Sequence, residues 1–355
     1  MENRIEKVME TIILDAEKSE NIKLCADIMK SGGVIAFPTE TVYGLGADAL
    51  DKDAVSGIFT IKGRPEDNPL IVHVASSDDV KPLVASIPDI FEPLIKKFWP
   101  GPLTLIMKKS SMIPDNVTAG LDTVAIRMPE HPAALALIQT FGGPVAAPSA
   151  NPSGKPSPTK AAHVLSDIGG KVPYILDGGD CKVGLESTVL DISGKTPKIL
   201  RPGCVTYDEL KNVLGTIEIA GIIDTSGKMD IIKTKETPKS PGMKYRHYAP
   251  KAPLTVVIGA PKKTAKYITD HLSETVAALM FTDYALEHPN VIPLGNSNDY
   301  EAQASFLFEA LRTADNMEVS SIYTQLPKED GLGVAIANRL KKAAGKNIVD
   351  LSDLH

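Results

Sequence analysis

The sequence predicts an α/β protein built as two domains, a twisted mixed sheet followed by a smaller parallel α/β sheet. Three observations carry that expectation. At 355 residues the chain exceeds the size at which a single core usually stops growing. Residues 11–205 hold many short β-like runs in Gly- and Pro-rich surroundings with few helices between them, whereas residues 251–355 alternate strand and helix cleanly. Between them, residues 206–250 read as a linker, because TSGKMDIIKTKETPKSPGMKYRHYAP (225–250) is polar, Lys-rich and bounded by prolines.

In the first region, Asn21–Lys30 places Ile22, Leu24, Cys25, Ile28 and Met29 on one helical face, and Ser31-Gly32-Gly33 ends it. Val34–Phe37 is a buried strand stopped by Pro38. Asp51 is placed to N-cap a helix bearing Ala54, Val55, Ile58 and Ile61 that ends at Gly63. Further strands are expected at Leu70–Val74, Leu103–Lys108, Thr123–Met128, Pro144–Ala147, Tyr174–Leu176, Thr188–Ile192 and Lys198–Leu200. Helices are expected at 78–86, 90–98, 131–140 and 159–167. In the second region strands are expected at Leu254–Ile258, Val276–Phe281, Asn290–Leu294, Ser321–Gln325 and Asn347–Leu351, with helices at 261–272, 299–315 and 332–344.

Composition narrows the function classes. Hydrophobic residues make up 43% and aromatic residues only 5%, so the core draws on Val, Ile, Leu and Ala, which suits strands covered by helices. A net charge of −6 weighs against a protein that coats nucleic acid by bulk attraction, although a local basic groove is compatible with it. Three widely spaced cysteines without a CxxC pair argue against a disulfide framework or a zinc site. Seven histidines show no HExxH spacing, and no apolar run approaches a membrane span. A cytoplasmic location is the expectation, with no membrane partner.

No GxxxxGK[ST] loop and no GxGxxG after a strand is present, so any nucleotide must be held by another device. Lys62 and Arg64, two apart beyond a helix, are expected to point to one side and with Asn68 form a polyphosphate clamp; an exposed basic loop is the plainer alternative. FPTETVYGLG (37–46) follows a strand and offers Thr39, Thr41 and Tyr43 hydroxyls, or else is an ordinary turn. Ser149 and Asn151, in a strand-end loop of small residues, suit phosphate or ribose. Arg127 offers a bidentate fork for a carboxylate, or a structural ion pair. GLESTV (184–189) and Arg201-Pro202-Gly203 add further donors. No Ser-His-Asp or Cys-His pair stands out, so the pattern favours binding and positioning of an anionic substrate over covalent catalysis.

Taken in order, FPTETVYGLG, KGRPEDNPL, FWPGPLT, VAIRMP, APSANPSG, GLESTV and LRPG resemble the YrdC-like domain of L-threonylcarbamoyladenylate synthases. SPGMKYRHYAP (240–250) and the α/β region after it resemble the long, two-domain form of that family. The resemblance implies a YrdC-like twisted mixed sheet linked to a smaller Rossmann-like domain. It also implies synthesis of L-threonylcarbamoyl-AMP from L-threonine, bicarbonate or CO2 and ATP, with magnesium on the triphosphate and pyrophosphate as the by-product. A downstream tRNA threonylcarbamoyl transferase would take the product, and weak tRNA contact is compatible with this. By motif position, Lys62 and Arg64 would act at the phosphates. Arg64, Asn68, Thr123, Ser149, Asn151, Ser157, Arg201 and Tyr245 would bind ATP. Thr41, His73, Arg127 and Ser187 would surround threonine, and no protein side chain would ligate the metal. The SPGMKYRHYAP segment (240–250), with Tyr245, His247 and Tyr248, would fold over the site as a lid that excludes water.

Two rivals remain at this level. One is a carbamoyl-adenylate enzyme like the related domain of hydrogenase maturation proteins, whose CxxC pairs are absent here. The other is a YrdC-type RNA-binding module without adenylate synthesis, which the acidic balance of the chain disfavours.

Overall fold

A computed structural model describes residues 9–220 and 247–352. Eleven of the strands described share one mixed sheet: β1 Ile12–Asp15, β2 Ile35–Phe37, β3 Gly44–Asp48, β4 Ile71–His73, β5 Leu103–Lys108, β6 Thr123–Arg127, β7 Val145–Ala147, β8 Tyr174–Asp177, β9 Thr188–Asp191, β10 Lys198–Arg201 and β11 Glu218–Ile219. Their order is β1-β8-β2-β3-β7-β4-β6-β5-β9-β10-β11. Interspersed are α1 Ser19–Lys30, α2 Lys52–Lys62, α3 Phe91–Phe98, α4 Asp115–Thr118, α5 Pro132–Phe141, α6 Ala161–Ile168 and α7 Tyr207–Leu214. The second sheet is wholly parallel, in the order β14-β13-β15-β12-β16. Its elements are β12 Leu254–Ile258, α8 Pro261–Asp270, β13 Val276–Met280, β14 Val291–Pro293, α9 Tyr300–Asn316, β15 Ser321–Gln325, α10 Gly333–Ala344 and β16 Ile348–Asp350. The mixed sheet and the separate small parallel sheet are the architecture expected from the sequence. No helix among the described residues is long and apolar enough to cross a membrane.

Local chemistry sets several of these elements as expected. Asp51 Oδ1 accepts from the Asp53 and Ala54 backbone N–H groups, and Gly63 ends α2 in the left-handed region at φ 58°. Other stretches differ. Gly44-Leu45-Gly46, read as a turn, is strand β3, antiparallel to β2. The glycines serve close approach: a Cβ on Gly46 would lie 2.7 Å from Phe37 Cε1 and 3.0 Å from Val145 Cγ1. Residues 78–86, read as a helix, form a 3₁₀ turn over Ser77–Leu83, with Pro82 inside it. Ile12–Asp15 adds an edge strand beside β8. Residues 207–219, read as linker from composition, form α7 and β11, and β11 pairs parallel with β10 in the first sheet.

Period-two alternation divides the sheet into two faces. Val72, Val124 and Ile126 join the main core with residues of α2, α3 and α6, while Ile71, Ala125 and Val189 face the other way in a small apolar strip. His73 and Arg127, paired in register at the ends of β4 and β6, lie on that second face. The two domains are packed together: Val42 and Leu185 of the first belong to the apolar cluster of the second. Gly184, at φ 73°, lies directly against α9, where a Cβ would meet the Ser305 Cα at 2.5 Å.

Candidate active site

The second face of the mixed sheet floors a pocket lined by Thr39, Thr41, Arg64, Ile71, His73, Arg127, Ala147, Ser149, Glu186, Ser187, Arg201, His247 and Tyr248, among others. The site thus gathers Thr41, Arg64, His73, Arg127, Ser149, Ser187 and Arg201 of the residues expected from the sequence. Lys62, Asn68, Thr123, Asn151 and Ser157 are buried beside it without lining it. Tyr245 lies outside the described residues.

The turn after β2 is shaped by Thr39, whose Oγ1 donates to Val42 O (2.6 Å) and accepts from the Thr41 and Val42 backbone N–H groups (both 3.2 Å). That turn places Thr41 Oγ1 to accept from Arg127 Nη1 at 2.9 Å, while Arg127 Nε donates to Gly101 O at 3.3 Å. Glu40, whose role the sequence did not disclose, sits 2.7 Å from Arg127 Nη2 and is 4% exposed. The two atoms in contact lack hydrogen-bond alignment. Charge therefore holds this pair, and Arg127 Nη2 is left without an aligned acceptor.

Lys62 and Arg64 are buried, so the exposed-loop alternative fails. They are brought together by the reversal at Gly63 and not by extended-chain alternation, since Lys62 is the last residue of α2. Lys62 Nζ donates to the carbonyls of Ser149 and Asn151. Burial, then the Arg64 charge, pushes its ammonium well below the usual lysine range. Arg64 Nη2 donates to Asn68 O (3.0 Å) and Pro69 O (3.1 Å). Asn151 Nδ2 bridges Pro152 O and Lys155 O, both at 2.9 Å, which shapes the loop presenting Ser149. Asn68 Oδ1 and Asn151 Oδ1 are buried without a hydrogen-bond partner. Thr123 shares the pocket face of β6 with Arg127 but lies four residues back, about 13 Å along the strand.

Arg201 closes another side. Its Nε and Nη2 donate to Ser187 O (3.1 and 2.9 Å) and Nη2 also reaches Ser187 Oγ (3.2 Å). Burial lowers its guanidinium only to about 10, so it remains a cation. Ser157 Oγ donates to Glu186 Oε1 at 2.6 Å and thus acts on the pocket through that carboxylate. Burial pushes the Glu186 carboxyl up, but Arg339 and Arg201 outweigh it and hold it below the usual range. The loop also needs Gly203: a Cβ there would lie 2.4 Å from Thr188 N and 2.7 Å from Glu186 O. Both contacts are backbone, so Gly203→Ala is expected to shift the 186–188 turn, lower the melting temperature by several degrees and slow turnover about tenfold. Thermal unfolding and a rate assay on the same variant check this.

His73 is 4% exposed with Nδ1 unpartnered, and its ring stands edge-on to Phe37 at 6.1 Å. Burial, then Arg127, pushes it from 6.5 down to about 3. The imidazole is neutral at pH 7. The unfolded chain binds a proton below about 6.5 that the folded protein refuses until about 3, so His73 stabilises the fold above that window and this contribution is lost as pH falls through it. Replacing His73 with Gln is expected to flatten the acid limb of stability against pH by one proton, about 1.4 kcal/mol per pH unit. Denaturant unfolding from pH 7 to 4 measures that slope.

His247 and Tyr248 bring the end of the inter-domain segment onto the pocket. His247 is pushed down to about 4, chiefly by burial and then by Arg64. Tyr248, at φ 64°, rests on Phe308 of α9 with ring centroids 5.3 Å apart.

The chain matches two family models, one described as Telomere recombination over residues 27–203 and one described as Threonylcarbamoyl-AMP synthase, C-terminal domain, over residues 205–345. It is 45% identical to the Threonylcarbamoyl-AMP synthase of Pyrococcus abyssi over 346 residues, covering 96% of this chain and 99% of that protein. Against the Threonylcarbamoyl-AMP synthase of Bacillus subtilis it is 44% identical over 340 residues, covering 92% and 94%. The crystal structure of P. abyssi Sua5 complexed with L-threonine superposes with a TM-score of 0.87 at 44% identity, over 96% of this chain and 99% of that one. This chain belongs to the threonylcarbamoyl-AMP synthase family, in its two-domain form.

Proposed function

We propose that this pocket condenses L-threonine, bicarbonate and ATP into L-threonylcarbamoyl-AMP, with Arg64, Arg127 and Arg201 as its charge-bearing walls. The observation that carries this reading is the convergence of those three guanidiniums with the Thr41, Ser149 and Ser187 hydroxyls on one sheet face. Few settings other than a polyanion beside a small polar molecule explain three cations so close together.

In this reading the threonine ammonium and bicarbonate give a carbamate, one water and one proton. A carbamate oxygen then attacks the α-phosphorus, the α–β P–O bond breaks and pyrophosphate leaves. Arg127 and Thr41 take the threonine carboxylate, with neutral His73 and Ser187 beside the amino acid. Arg64, with Lys62 behind the Ser149–Asn151 turn, takes the phosphates, and Asn68, Asn151, Ser157 and Arg201 hold the loops of the nucleotide site. Thr123, further along β6, is assigned to the far end of the nucleotide. Positioning of this kind supplies most of the rate in phosphate transfer.

When bound to the triphosphate, magnesium would supply charge neutralisation there. Among the described residues no group of three or more His, Cys, Asp or Glu stands ready to hold a metal, and the carboxylates of Glu186, in the pocket wall, and of nearby Glu40 are paired with arginines. The product, a mixed carbamic–phosphoric anhydride, hydrolyses readily, which gives His247 and Tyr248 a role in excluding water. A tRNA threonylcarbamoyl transferase is the consumer of that product, with at most weak tRNA contact here.

Pyrophosphate release tests the reading. It is expected to require threonine, bicarbonate and ATP together, and to stop when any one is omitted. Tight tRNA binding with a steep salt dependence and no turnover would instead establish the RNA-binding alternative.

A further inference from the structure

Two arginines of the second domain reach into the first. Arg339, on α10, has no exposed surface. Its Nε donates to Glu186 Oε2 at 2.9 Å and its Nη1 to Pro202 O at 2.8 Å, so one guanidinium spans two turns of the first domain. Glu186 Oε1 accepts from Ser157. The Arg339 guanidinium also lies 5.7 Å over the Tyr248 ring. Arg312, on α9, donates to Pro156 O and Asp167 Oδ2, both at 2.5 Å, and so grips the turn that carries Ser157. The Ser157–Glu186 bond therefore joins two loops, each held by an arginine from the other domain.

A buried Arg–Glu pair adds little net stability over an apolar pair of the same volume, because desolvation offsets the Coulomb attraction. What it contributes is one geometry. Here that geometry belongs to Glu186, which lines the pocket, and to its neighbour Ser187, which anchors Arg201. We propose that Arg339 is a positioning residue for adenylate synthesis: from the second domain it fixes the Glu186–Ser187 turn, so docking of that domain sets the pocket wall. This rests on the functional reading above and extends it to a role for the second domain.

The test uses the full chain and Arg339→Lys, which keeps the charge and the apolar stem but cannot span Glu186 and Pro202 together. Amide hydrogen exchange across residues 184–188 is expected to speed up about tenfold or more, while the melting temperature stays within a few degrees. Pyrophosphate release from ATP, L-threonine and bicarbonate is expected to fall on the order of 10²-fold in kcat, with KM values moving less than about threefold. In a Glu186→Gln background, where the ionic link is already lost, the same substitution should cost clearly less than in the wild type, because only the Pro202 contact remains to be broken. Unchanged exchange, multiplying losses, or activity that merely tracks the folded fraction would each overturn the proposal. If wild-type protein releases no pyrophosphate, the functional reading fails, and exchange alone decides whether Arg339 fixes the turn.

Discussion

Arg127→Met is expected to abolish turnover, by about 10³-fold or more, and to destabilise the fold by about 3–5 kcal/mol. Both effects follow from one placement. Arg127 ends β6, 3% exposed, with Thr41 on one nitrogen and Glu40 beside another. Removing the guanidinium leaves Glu40 buried with no opposing charge, and that desolvated carboxylate accounts for the stability loss. It also removes the fork assigned to the threonine carboxylate, which accounts for the loss of rate. The two losses separate in the double variant Glu40→Gln/Arg127→Met. With the orphaned charge gone, most of the stability should return, whereas turnover should not. Denaturant unfolding and pyrophosphate release on the single and double variants decide it. Recovery of both together would reduce Arg127 to a structural ion pair, the plainer alternative its sequence position also allowed.

How much of this could be read before the structure depends on the range over which each signal acts. Asp51 as a cap and Gly63 as a stop are local chemistry, written within a few residues, and both hold. β3 was hidden because glycine signals two things in a sequence. In Gly44-Leu45-Gly46 it makes room for the Phe37 ring and does not make a turn. The segment 207–219 looked like linker because β11 is two exposed residues whose reason to form is β10, outside their own sequence. The site divides in the same way. Strand-end loops rich in Thr, Ser, Asn and Arg announced themselves, and seven of the expected residues line one pocket. Glu40 and Glu186 stood inside quoted motifs, but a buried carboxylate acquires meaning only from its partner. For Glu186 that partner is Arg339, 153 residues away, on a helix whose pattern otherwise reads as simple packing. Periodicity can place Arg339 on a helix. It has no means of saying that the helix docks on a pocket wall.

Lys62→Met is the second large effect, and its signature is a loss of activity without a matching loss of stability. The ammonium is buried between the carbonyls of Ser149 and Asn151, with burial and Arg64 both working against its charge. A lysine whose folded pKa lies below 10.5 binds its proton more weakly in the folded state than in the unfolded chain. It therefore costs the fold stability as pH falls from 10.5 through the folded value. Methionine has a similar volume and no proton to lose, so that cost disappears, offset by two carbonyls left without their donor. The net change in stability at pH 7 should stay within about 1–2 kcal/mol, and the stability profile at high pH should flatten. Turnover should nevertheless fall about 10³-fold on the proposed reading, in which the phosphates bind beside Ser149 and their negative charge favours the protonated amine. A Lys62→Met enzyme that kept more than about a tenth of wild-type turnover would place the phosphates elsewhere and leave Lys62 as a brace for the Ser149–Asn151 turn.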